Sequence, residues 1–163
     1  MELKKHNGFR NFMIALYFIS FATFFAIGFS PAFATDYDVN AQIEIPSINL
    51  MSDVTALEVD ENRLNTPDFI VGSYSRAENK TLLIGHSTTV FSNLDNVAVG
   101  NVIFYSGKEY LIENVEVIEK ANISMNELLK PAKQDTLVIM TCAGEIYDNG
   151  DASHRLIVTA TAI

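Results

Sequence analysis

Three residues of this chain carry the side chains that acyl transfer needs: His86, Cys142 and Arg155. Each stands at one end of an apolar run. His86 closes Thr81-Leu82-Leu83-Ile84-Gly85-His86, Cys142 closes Thr136-Leu137-Val138-Ile139-Met140-Thr141-Cys142, and Arg155 opens Arg155-Leu156-Ile157-Val158-Thr159-Ala160. The thiolate is the nucleophilic form of Cys, and a nearby cation favours it. An imidazole protonates a departing amine as general acid and then deprotonates the incoming nucleophile. A guanidinium keeps its charge, and its planar donors suit an oxyanion or substrate carbonyls. At ordinary acidities only on the order of 1% of molecules would hold thiolate and imidazolium together at pH 7. Such a pair must shift each other's protonation or work through a minor population.

Plainer readings stand beside these. A single Cys after Leu-Val-Ile-Met reads equally as a small buried hydrophobe, His86 as a structural or surface residue, and Arg155 as an exposed charge. His6 has no assigned role, and His154 is expected to face away from Arg155. Along the strand, Cys142 shares a face with Met140 and Val138, while Thr141 points the other way. Gly85 and Gly144 flank His86 and Cys142, where each could let a substrate backbone approach closely.

The elements that must position these residues read as short strands. Stretches rich in Val, Ile, Thr and Tyr alternate with Asn, Asp, Gly and Ser clusters, an all-β pattern. The expected strands are Gln42–Ile48, Val54–Leu57, Phe69–Gly72, Thr81–His86, Val102–Ser106, Glu109–Glu119, Thr136–Cys142 and Arg155–Ala162. Ser106-Gly107-Lys108-Glu109 supplies a hairpin turn. Ser124-Met125-Asn126-Glu127 is a capping box opening one short helix, which Pro131 stops. So many antiparallel strands with so little helix imply a small sandwich or closed barrel.

Of the 163 residues, 48% are hydrophobic and the net charge is −9. The acidic balance argues against a nucleic-acid partner, whose phosphates call for a Lys/Arg face. One Cys excludes an intramolecular disulfide framework and cannot build a Cys-rich zinc site. The averages also conceal a division. Residues 1–10 carry Lys4, Lys5 and Arg10 against Glu2, and Asn11 to Thr35 is free of charge. About 20 apolar residues suffice to cross a bilayer as a helix, and the basic flank predicts a cytoplasmic N-terminus. Ala32-Phe33-Ala34 also has the small-x-small pattern of a signal-peptidase site. Residues 1–34 are therefore read as a signal-anchor or a cleaved signal, 35–41 as a short linker, and 42–163 as one exported domain. Uncleaved, the protein is held at the cell membrane with that domain extracytoplasmic; cleaved after Ala34, it is secreted.

Leu83-Ile84-Gly85-His86-Ser87, Thr136 to Cys142, and His154-Arg155-Leu156-Ile157-Val158 resemble the three signature segments of sortases. Ile43-Glu44-Ile45-Pro46-Ser47-Ile48 is similar to the family's first strand, and Phe91 to Phe104 to the segment after its catalytic His. The resemblance covers about residues 42–162. It implies a closed eight-stranded β-barrel with one or two short helices, preceded here by an N-terminal hydrophobic helix. It also implies a cysteine transpeptidase, or thiol protease, of the bacterial surface. Cys142 would attack the Thr carbonyl of a Leu-Pro-x-Thr-Gly-like sorting motif in a surface protein. His86 would protonate the departing Gly amine, and Arg155 would stabilise the tetrahedral intermediate. An amine, from cell-wall precursor or a pilin Lys, would resolve the acyl-enzyme. Thr141 matches the family's Thr before the Cys, which helps build the oxyanion environment; it reads equally as a β-branched strand residue. Substrate contacts are expected about Lys120–Asp135.

The pattern departs from the family in places. Asn101 stands where many relatives have an acidic residue, the Cys–Arg connection is only Ala143–His154, and no pilus-type lid segment precedes the first strand. No cofactor is expected. Some relatives bind calcium at other loops, but Asp148-Asn149-Gly150-Asp151 reads as a turn. Two other functions remain open: a non-catalytic surface barrel binding peptide or cell-wall material, and a hydrolase in which water resolves the same acyl-enzyme.

Overall fold

The computed structural model describes residues 39–57, 59–60 and 63–163. The expectations for residues 1–34, signal-anchor and hydrophobic helix included, lie outside the described residues. No helix among the described residues is long and apolar enough to cross a membrane.

Period-two alternation of apolar and polar residues builds eight strands that close on one another. They are β1 (Val39–Ile45), β2 (Leu50–Ala56), β5 (Val71–Ala77), β6 (Lys80–Ile84), β7 (Val102–Tyr105), β8 (Lys108–Glu119), β9 (Thr136–Ile146) and β10 (Ala152–Ala162). The order around the barrel is β1-β2-β5-β6-β9-β10-β8-β7. A two-stranded ribbon, β3 (Val59–Asp60) with β4 (Arg63–Leu64), sits in the β2–β5 connection and has no counterpart among the expected strands. The β1 strand starts inside the segment read as linker, and Pro46–Ile48 leaves it as a 3-10 turn. Between β7 and β8 the two-residue loop Ser106-Gly107 has positive φ at both positions, 52° and 77°. That is the conformation a tight hairpin requires.

The expectation of purely antiparallel pairing is corrected at two places. β2 pairs with β5 in parallel, and β6 pairs with β9 in parallel. Parallel partners need a long crossover; here β7 and β8 are threaded between β6 and β9. The consequence is functional. Parallel strands run toward the same edge of the sheet, so the end of β6 at Ile84 lies beside Met140 of β9, just short of Cys142.

Two apolar clusters divide the faces of these strands. Ile43, Leu83, Phe91, Ile103, Ile112, Leu137, Ile139, Leu156 and Val158 form one cluster, the barrel interior. Leu82, Ile84, Val138 and Ile157 lie on the opposite face, joined by Leu129 and the half-buried Met140, Tyr74 and Leu128. Near the far end of the barrel Tyr110 is buried beside Asp135, which also bonds Lys108. Burial, reinforced by the Asp135 carboxylate, pushes the Tyr110 phenol up to about 12. The folded state thus holds this proton more tightly than the unfolded chain, so the stabilisation is complete below the ordinary value of 10.0 and lost above it. Thermal melts should show Tm falling from about pH 10 towards pH 12. Tyr110→Phe should flatten that fall; an equal slope in the variant would place the titrating group elsewhere.

Candidate active site

The register of β6 on β9 runs from Lys80 opposite Thr136 to Ile84 opposite Met140. Two residues beyond that last pair come His86 on one chain segment and Cys142 on the other. The Thr141 hydroxyl donates to the Gly85 carbonyl at 2.7 Å, a buried bond that extends the alignment past the end of the backbone ladder. On the other side of β9, Arg155 of β10 is the ladder partner of Cys142. Cys142 and Arg155 therefore stand on adjacent strands, which lie about 4.8 Å apart in a sheet, and His86 follows the end of the strand on the other side of β9.

They also continue one face. Leu82 and Ile84 precede His86, Val138 and Met140 precede Cys142, and Ile157 follows Arg155. This is the outer face, where Thr141, pointing inward and buried, cannot follow. The groove over it has a volume of about 500 Å³, and His86, Cys142 and Arg155 all line it. Ile84, Met140, Met125 and Leu129 give it apolar walls, and Tyr74 and Arg76 of β5 close another side. The sequence places side-chain contacts to substrate about Lys120–Asp135, in the β8–β9 connection. That connection supplies Met125 and Leu129, while Leu64, Thr66, Tyr74 and Arg76 come from segments with no local chemical signature.

The wall helix α1 is a single turn, Met125–Leu128. Ser124 caps it, its hydroxyl accepting from the Glu127 amide at 3.4 Å. The Glu127 carboxylate turns to Lys130 at 2.5 Å, so the box contributes its N-cap while its acidic arm serves an ion pair.

The two glycines pack closely against their own chain. A Cβ on Gly85 would lie 2.5 Å from Val90 and 2.7 Å from the Phe91 ring. A Cβ on Gly144, whose φ is +76°, would lie 2.5 Å from the Ser153 hydroxyl. The close approach at each is the protein's own packing, and Gly85 also lines the groove.

His86 is half exposed, with its side chain 42% accessible, and its Nε2 lies 3.9 Å from Asp68. Its carbonyl accepts from the Thr89 and Phe91 amides, which fixes the turn that follows β6. Cys142 is a free thiol of intermediate exposure. His154 is outside the groove lining, and its Nδ1 meets the Ser153 hydroxyl at 2.7 Å.

Arg155 is more enclosed than His86, its side chain 15% accessible. Its Nη1 donates to the Ala152 and His154 carbonyls at 3.0 and 2.9 Å, and its Nη2 donates to Asp151 Oδ1 at 2.9 Å. The other Asp151 oxygen bonds the Lys120 ammonium. Lys120, then Arg155 and the Ala152 amide, hold the Asp151 carboxyl well below the usual carboxylate range. Sequence reasoning took Asp148–Asp151 for a turn, and a turn it is, with the Asp151 amide donating to Asn149 Oδ1 at 3.0 Å. It missed the ion pair, whose only signal is the i,i+4 spacing of Asp151 and Arg155. No group of three or more His, Cys, Asp or Glu among the described residues is placed to hold a metal ion.

Residues 43–163 match the Sortase domain family. The chain belongs to the sortase family. No curated protein matches its sequence, but solved sortases share its fold. A lid mutant of sortase A from Corynebacterium diphtheriae superposes with a TM-score of 0.61 at 23% identity, covering 80% of this chain and 73% of that one. Sortase C-1 from Actinomyces oris gives 0.58 at 26% identity, covering 77% and 72%. Sortase A from Listeria monocytogenes gives 0.58 at 15% identity, covering 77% and 87%. The closed eight-stranded barrel expected of this sortase is thus the one it has, and family membership supports a cysteine transpeptidase of the cell surface.

Proposed function

We propose that this sortase cleaves a Leu-Pro-x-Thr-Gly-like sorting motif through a thioester on Cys142 and passes the acyl group to an amine. The Cys142 thiolate attacks the Thr carbonyl carbon, forming the S–C bond. The C–N bond to Gly breaks as His86 delivers a proton to the departing amine. His86 then takes a proton from the incoming amine, whose nitrogen displaces Sγ and regenerates the thiolate. Arg155 donates to the carbonyl oxygen while that oxygen carries negative charge. Thr141 serves as a brace, since its hydroxyl is committed to Gly85.

The observation that carries this reading is the row of His86, just past the end of β6, with Cys142 of β9 and Arg155 of β10, all lining a groove with apolar walls. Such walls suit the Leu and Pro of the motif, whose burial contributes affinity without directing chemistry. The acceptor is cell-wall precursor or a pilin Lys, and the substrates are exported surface proteins. The enzyme works outside the cell membrane, held there through residues 11–34 or released after Ala34.

The full chain should be incubated with a panel of sorting-motif peptides, with and without an amine acceptor, and the products weighed by mass spectrometry. The transpeptidase reading expects a ligated product that requires the acceptor. Cleaved peptide alone in both arms would make the enzyme a hydrolase. Neither product with any peptide would leave a barrel that only binds.

A further inference from the structure

We infer that Asp151, bridged to Lys120, is a positioning residue that fixes the Arg155 guanidinium beside Cys142. This rests on the transpeptidase reading for its effect on turnover. Its structural half stands apart from that reading.

The guanidinium has five N–H donors. Both on Nη1 are spent on the carbonyls of Ala152 and His154, and one on Nη2 is spent on Asp151. The Nε–H and one Nη2–H are left, a pair able to reach a single oxygen or a carbonyl edge. The group is therefore held without being used up.

The holder is itself held. The Asp151 carbonyl accepts from the Tyr147 amide at 2.8 Å, its amide donates to Asn149, and its Oδ1 accepts from the Ala152 amide at 2.9 Å. Three contacts of the β9–β10 turn thus aim one carboxylate, and its second oxygen takes the Lys120 ammonium. Lys120 opens the segment Lys120–Asn122 that leads from β8 into α1, whose Met125 lines the groove. Asp151 therefore ties the guanidinium to the connection that forms a wall of the groove. A charge fixed before the reaction need not be gathered during it, which is the advantage of a preorganised donor over a mobile one.

The test compares the full chain with Asp151→Asn, Asp151→Glu, Lys120→Met and, as control, Asp148→Asn, an exposed residue of the same turn. Transfer of a sorting-motif peptide should fall about tenfold to a hundredfold in kcat for Asp151→Asn, with KM little changed. Asp151→Glu should restore most of it, Lys120→Met should lose less, and Asp148→Asn should match wild type. By NMR, rotation of the Arg155 guanidinium should be slow in wild type and fast in Asp151→Asn. Turnover in Asp151→Asn equal to or above wild type overturns the inference, as does an Arg155 guanidinium equally mobile in both proteins. If the wild type transfers no peptide at all, the transpeptidase reading fails, and the NMR comparison alone decides whether Asp151 holds Arg155.

Discussion

Replacing Cys142 with Ala will leave a folded barrel without acyl transfer. Removing the nucleophile from an interdependent acyl-transfer site costs on the order of 10⁶ in kcat, because the remaining groups have nothing to activate. The structural cost should be small. Cys142 is only partly buried and sits on the outer face, beyond the buried apolar residues Leu137, Val138 and Ile139. Loss of one sulfur there opens space to the groove and leaves no sealed cavity, so Tm should shift by only a few degrees. The packing-residue reading of Cys142 makes the opposite forecast: a clear fall in Tm and no chemistry to lose. Measuring transfer and Tm on the same variant separates the two.

Arg155→Lys will cost about 10²–10³ in kcat/KM, although the charge is kept. The loss follows from shape. The guanidinium spans three acceptors at once, the carbonyls of Ala152 and His154 and the Asp151 carboxylate, and still has donors to offer the groove. An ammonium has three donors on a single point and no plane. Satisfying the same acceptors would consume all of them, leaving none for the oxyanion. Steady-state transfer assays on the variant, with Tm as a check on folding, measure this directly. Activity within about threefold of wild type would reduce Arg155 to a charge that any cation can supply.

The site was legible where period-two alternation alone decides it. Val138, Met140 and Cys142 alternate with Leu137, Ile139 and Thr141, and the structure sends Val138 and Met140 to one cluster and Leu137 and Ile139 to the other. Strand pairing was not legible in the same way, because alternation assigns faces and not neighbours. Nothing local in Thr81–Ile84 or Thr136–Met140 says that the two run parallel, yet that pairing brings the end of β6 alongside β9 next to Cys142.

Strand boundaries failed for a related reason. Phe69 was read as opening a strand, but it is 74% exposed and β5 begins at Val71. In β2 the polar Ser52 and Asp53 interrupted the apolar signal, although Leu50, Ser52 and Val54 all face inward and are buried. The Asp151–Lys120 pair joins residues 31 apart in sequence and becomes visible only once β8 and β10 are adjacent. The sortase likeness supplied the architecture that alternation lacked. It contained nothing about Asp151, because the segments that carry it stop at Cys142 and resume at His154.

The central claim is a covalent bond to one sulfur atom. The full chain should be incubated with a Leu-Pro-x-Thr-Gly-like peptide in the absence of acceptor, acid-quenched, digested and mapped by mass spectrometry. The account predicts the acyl fragment on the peptide containing Cys142, and its disappearance when an amine is added before the quench. An unmodified Cys142 with every motif offered, together with a thiol inert to alkylating agents, would contradict it.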